Sequence, residues 1–94
     1  METPGEYKVK SKTYEKAINQ WGINAQITMV FEEMAELQKE LCKNLRGKDN
    51  RIKIAEEIAD VEIMLDQMKQ YFDIEEGVKR YKQVKLKRLE VRLK

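Results

Sequence analysis

Apolar residues recur along this chain in alternating steps of three and four. One series runs Ile23, Ile27, Val30, Met34, Leu37, Leu41, with Leu45 a turn further on. A second runs Ile54, Ile58, Val61, Leu65, Met68, Phe72. That period lays one apolar stripe along each of two α-helices. Gly47 stops the first, and Lys48, Asp49 and Asn50 make a polar turn in which Asp49 or Asn50 can cap the second. An earlier helix is expected from Ser11 or Thr13 through Tyr14, Ala17, Ile18 and Trp21, with a break or bend at Gly22. Asp73 followed by Glu76 has the form of a capping box for a last helix, which carries Val78, Tyr81, Val84, Leu86, Leu89, Val91 and Leu93 less regularly. Residues 1–10 hold Pro4, Gly5 and no apolar period, and read as a flexible N-terminal tail. Residues 11–94 then form a single helical domain, all-α and four-helix bundle-like, with short connections that favour antiparallel neighbours.

Composition sharpens this picture. Charged residues make up 38% of the 94, with four Gly and one Pro, which favours long helices over a sheet of short strands with many turns. A helical chain this short leaves much apolar surface uncovered, and Met29, Ile63 and Tyr71 add more away from the main stripes. A homodimer or homotetramer is therefore expected. The single cysteine, Cys42, has no partner for an internal disulfide, which fits a reducing compartment. No apolar run has the length of a signal peptide or a membrane span, so the expected location is cytoplasmic, away from the membrane. Histidine is absent, which removes imidazole acid–base chemistry and every histidine-containing metal site. A metal bound here takes oxygen ligands, so Mg²⁺ is expected, with Mn²⁺ possible.

Charge is strongly segregated. Residues 1–31 carry four basic and three acidic side chains, residues 32–76 seven and thirteen, and residues 77–94 eight and one, for net charges of +1, −6 and +7. Within the acidic middle, Glu33 and Glu36 are three apart, as are Glu57 and Asp60, so each pair shares a helix face. At about 100° per residue these acids fall at the edge of the apolar arc, flanked by Met29, Met64 and Met68. Clustered carboxylates at such an edge repel one another, and a divalent cation relieves that repulsion.

Glu32-Glu33-Met34-Ala35-Glu36, twenty residues, then Glu57-Ile58-Ala59-Asp60 resembles the Glu-Glu-x-x-Glu … Glu-x-x-Asp signature of the MazG-like nucleotide pyrophosphohydrolases, all-α NTP pyrophosphatases. Trp21-Gly22 and Ala25-Gln26 before the first motif, and Val61 to Leu65 after the second, fit as well, and the likeness spans about residues 14–93. It implies a Mg²⁺-dependent cleavage of an NTP or dNTP to the monophosphate and pyrophosphate, by water attacking the α-phosphorus. It also implies that Glu33, Glu36, Glu57 and Asp60 bind the metal. Glu32 or Glu36 would take the proton of the attacking water. Phosphate-binding cations would be Lys53, Lys85 and Arg88; the Asn that often accompanies them on the last helix has no counterpart here. Trp21 by stacking and Gln26 by hydrogen bonding can contribute to a nucleoside pocket, although Trp21 also continues the Tyr14–Ile18 stripe and can serve as core.

Two other readings are open at this level. The basic segment 77–94, with Tyr81, has the composition of a nucleic-acid-binding helix, but the acidic middle would repel phosphates. A non-enzymatic helical assembly subunit explains the stripes, though not two matched acidic pairs.

Overall fold

A computed structural model describes residues 2–94. Four helices follow in order: α1 Pro4–Trp21, α2 Ile23–Leu45, α3 Arg51–Tyr71 and α4 Glu75–Arg92. The all-α class expected from the stripes is present, with no strand among the described residues.

The first helix starts earlier than its apolar pattern. Residues 4–10, expected in the tail, are helical because Thr3 acts as N-cap: its Oγ1 accepts from the Glu6 N–H at 3.1 Å. Pro4 then occupies the first helical position, and Glu6 lies in the first turn. Thr-Pro-x-Glu is a helix start written in capping residues rather than in hydrophobic ones.

The α1–α2 junction is a single residue, Gly22, with φ 87° and ψ 153°. Residues with a Cβ essentially never adopt that conformation, so this glycine allows two helices to meet with no loop. After α2, Gly47 (φ 96°) sits in a Schellman motif: its N–H reaches Asn44 O at 2.9 Å, and Lys48 N–H reaches Lys43 O at 3.2 Å. The same motif ends α3, but with Asp73 (φ 55°) in the left-handed position: Asp73 N–H bonds Gln70 O and Ile74 N–H bonds Lys69 O. Asp73 therefore terminates α3 and does not cap α4, whose N-cap is Ile74 with no side-chain hydrogen bond.

The helices α2 and α3 form an antiparallel hairpin, the most extensive packing in the molecule, and α1 lies across both. The hairpin seam is not the apolar stripe. On α2 the residues turned inward are Gln26, Val30, Glu33, Leu37 and Glu40, and on α3 Ile54, Glu57, Val61, Met64 and Gln67. Both series keep the four-three step but are rotated from the apolar series. Met34, Leu41, Ile58, Leu65 and Phe72, all expected in the core, are exposed. They sit roughly 60–100° around their helices from the seam. Because the helices run antiparallel, the two rotations carry them to one shared face, opposite the face that α1 covers.

The buried apolar core is correspondingly small: Tyr14, Val30, Val61 and Met64. The last helix packs mainly on α3 and buries none of its residues. Tyr7 Oη donates to Glu75 Oε2 at 3.2 Å, one link between the first and last helices. The radius of gyration is 16.0 Å, against about 12 Å for a compact domain of this length.

Candidate metal and nucleotide site

The rotation of the hairpin places carboxylates where hydrophobic side chains were expected. Glu57 is 5% exposed, in the middle of the seam, and Glu33 faces it from α2. Oxygens of Glu33, Glu57 and Asp60 all lie within 4.8 Å of one another. An octahedral Mg²⁺ at about 2.1 Å needs neighbouring ligand oxygens roughly 3 Å apart and opposite ones roughly 4 Å apart, so small side-chain rotations suffice. The donor set, three carboxylates and no nitrogen or sulfur, suits a hard cation. Glu36, a turn further along α2, is exposed and lies outside this trio.

Electrostatics mark Glu33 as the strained member. Its carboxyl is held above the ordinary glutamate range, first by desolvation and then by the charges of Asp60, Glu57, Glu36 and Glu32. The nearest positive charge to the trio comes from α3 itself. Lys53 Nζ lies 3.3 Å from Glu57 Oε1 and 3.3 Å from Glu56 Oε1. Hydrogen bonding to Glu57 first, and to Glu56 second, pushes the Lys53 ammonium above its usual range. Lys53 thus enters the acidic site as an internal counterion.

A second acidic seam position has a different fate. Glu40 is buried, with Asn50 Nδ2 donating to its Oε1 at 3.0 Å and to its backbone oxygen at 2.9 Å. Lys43 Nζ lies 3.0 Å from Glu40 Oε2. The Asn50 hydrogen bond, followed by that from Lys43, holds the Glu40 carboxyl below the ordinary glutamate range. Asn50 is the N-cap residue of α3, as its place in the polar turn predicts, but its side chain ties the turn to α2 and does not cap. Glu40 and Asn50 escape a reading based on acid pairs, although Glu40 falls seven residues after Glu33 and so on the same face.

Beside the carboxylates a cavity of about 670 Å³ opens between α1, α2 and α3. Trp21, Gln26, Met29, Glu32, Met64 and Gln67 are among its lining residues. Trp21 is 60% exposed, so it is not core; its ring forms part of the cavity wall. Gln26, by contrast, is 5% exposed and lies on the seam. Gln67, which the apolar pattern passes over, is 4% exposed, and its Oε1 is buried with no hydrogen-bond donor among the described residues. Leaving such an acceptor unpaired costs about 1–3 kcal/mol. Its seam position, three after Met64 and six after Val61, is the sequence signal that could have found it.

The basic residues of α4 stand elsewhere. Lys85 and Arg88 line a groove on α4 with Gly77, Arg80, Tyr81 and Val84, and none of the acidic trio contributes to it. Of the residues singled out in the sequence, the fold therefore gathers Glu33, Glu57, Asp60 and Lys53 at one point. It places Glu32, Trp21 and Gln26 around the adjoining cavity, and leaves Glu36, Lys85 and Arg88 outside both.

No helix among the described residues is long and apolar enough to cross a membrane. Comparison with protein-family models, curated proteins and solved structures gives no match to this chain.

Proposed function

We propose that this chain is a Mg²⁺-dependent nucleoside triphosphate pyrophosphohydrolase of the MazG-like type, cleaving an NTP or dNTP to the monophosphate and pyrophosphate. The observation that carries the reading is the trio Glu33, Glu57 and Asp60, brought within 4.8 Å across a helix seam. Acidic side chains gathered on a packing seam oppose folding unless a cation joins them. When bound, the divalent ion supplies charge neutralisation for the triphosphate and an acidified water. Glu33, Glu57 and Asp60 would hold it, with Glu36, one turn along α2, as a further carboxylate on that helix. Lys53, now paired with Glu57, would be the cation available to a phosphate oxygen there. Glu32, on the cavity wall and next in chain to Glu33, accepts the proton of the attacking water. Lys85 and Arg88 contribute only if α4 of a second copy delivers them, since their own α4 groove is separate from the trio.

That last condition agrees with the shape of the molecule. The exposed face of Met34, Leu41, Ile58, Leu65 and Phe72, and an α4 with no buried residue, fit a homodimer or homotetramer in which copies cover each other's apolar faces.

The test is a Glu57→Gln variant assayed on a panel of triphosphates with Mg²⁺. This change removes one anionic ligand with almost no change in shape. Turnover is expected to vanish while helicity is retained, and the metal-free variant should melt at or above the wild-type temperature. Wild-type reaction in ¹⁸O-labelled water should put the label in the monophosphate. Orthophosphate as first product, or turnover and melting that ignore chelation, sinks the proposal.

A further inference from the structure

The segment 77–94, at the end of the chain, carries eight of its nineteen Lys and Arg and a single acid, Glu90. Laid on α4 at about 100° per residue, Arg80, Lys85, Arg88 and Arg92 fall within one arc of roughly 140°, with Tyr81 among them. Arg80, Tyr81, Lys85 and Arg88 line one groove of about 450 Å³. Lys79, Lys82 and Leu86 line the cleft toward α1 and α3 and lie on the opposite side of the helix, so the basic arc is turned away from the acidic hairpin. Glu90 also stands outside the arc, where Lys87 Nζ is 3.7 Å from its Oε1. Among the described residues none of the four cations of the arc has an ion-pair partner. Lys85 and Arg88, three apart, and Arg88 and Arg92, four apart, are like-charge neighbours of the kind that weaken a helix. No residue of α4 is buried, so packing does not account for them.

We infer that this outer face of α4 binds single-stranded nucleic acid, with phosphates on Arg80, Lys85, Arg88 and Arg92 and a base against Tyr81. The four cations are spread along about 18 Å of helix in steps of roughly 4.5 to 7.5 Å, a ladder of positive charge that a strand of phosphates can follow. Tyr81, between Arg80 and Lys85, is 68% exposed and offers a ring on which an unpaired base can stack. A duplex keeps its bases stacked on one another and leaves that ring without a partner. A lipid surface asks for an apolar face set against the cations. On α4 Lys82 instead sits amid Val78, Leu86 and Leu89, and Tyr81 and Val84 sit amid the cations. Stacking and phosphate contact are both indifferent to base identity, so the binding is without sequence preference. This function is separate from the carboxylate site, none of whose trio lines the groove.

The test is fluorescence anisotropy of labelled single-stranded DNA and RNA of mixed sequence, titrated with the full-length protein without metal or triphosphate. Four phosphate contacts give a slope of log affinity against log salt of about −3. Arg80→Gln with Arg92→Gln should halve that slope and weaken binding about tenfold near physiological salt. Lys79→Gln with Lys82→Gln removes the same charge from the opposite side and should leave the slope unchanged. Tyr81→Leu should weaken single-strand binding about fivefold or more and leave the affinity for a duplex unaltered. All five positions are exposed, and circular dichroism confirms that each variant keeps its helices. No binding at low salt, equal slopes in the two double variants, or a Tyr81→Leu variant that binds like wild type overturns the proposal. So does tighter binding of the duplex, or of phosphatidylserine vesicles, than of the single strand. Arg80, Tyr81 and Arg92 have no part in the proposed hydrolysis, so failure of either reading leaves the other standing.

Discussion

A single buried carboxylate can be made either expensive or useful by its neighbours, and the seam of this hairpin contains both cases. Glu33 faces other acids, and desolvation followed by their repulsion holds its carboxyl above the ordinary glutamate range. Glu40, seven residues along the same helix, faces the Asn50 amide and the Lys43 ammonium and is held ionised. A carboxyl whose pKa is depressed by folding contributes stability that is full above the ordinary glutamate range and is lost as pH falls from that range through the lowered folded value. Asn50→Ala removes the hydrogen bond that contributes most to the depression. It should lower the melting temperature by roughly 5–10 °C at neutral pH. Asn50 also donates to the Glu40 backbone oxygen, a bond that acid does not remove, so the difference between variant and wild type should narrow in acid without closing. Thermal melts of both proteins across the acidic range measure this; a constant difference at every pH would show that Glu40's charge is not involved.

At the scale of elements, the connections are short and their backbone conformations do much of the positioning. Gly22 and Gly47 occupy left-handed φ, where glycine carries no Cβ penalty, and the α3–α4 link asks the same of Asp73. An L-residue in that region is disfavoured, Asp less than most. Asp73→Gly should therefore stabilise the fold by roughly 0.5–1 kcal/mol, net of glycine's greater freedom in the unfolded chain. Chemical denaturation read by circular dichroism checks it, and a loss of stability would mean that the Asp73 side chain has a role in holding α4. The same turn explains why Asp-x-x-Glu misleads as a capping box: a helix stop and a helix start lie within three residues, and the stop takes the aspartate.

Across the whole molecule, the excess of 16.0 Å over the radius expected of a compact domain and the thin core tell one story. The hairpin is covered by α1 on one face and leaves apolar side chains exposed on the other. In the proposed oligomer that face meets its own copy, and α4 finds contacts beyond its few with α3. Sedimentation should give a dimer or tetramer at micromolar concentration. Leu65→Asp, in the middle of the exposed face, should shift it toward monomer and lower the melting temperature, because the apolar side chain at that position contributes to association and not to the monomer's core. A stable wild-type monomer would remove the oligomer, and with it the route by which Lys85 and Arg88 reach the site.

How much was legible beforehand follows from which forces are local. Helix number and type were readable because a three-four apolar period is a property of consecutive residues. The carboxylate pairs were readable because spacings of three put side chains on one face whatever surrounds it. The start of α1 was also written locally, in Thr3, Pro4 and Glu6, but in capping chemistry that an apolar pattern does not contain. Tertiary structure decided the rest, because a stripe says that a face is buried without saying against what. The hairpin turned Glu33, Glu57 and Gln67 inward and left Met34, Ile58 and Leu65 outward, a choice no single helix makes, since it depends on α1 occupying one side of the pair. Only that rotation converts four acids at the edge of two stripes into a trio within 4.8 Å, beside a cavity that Gln26 and Gln67 help to line.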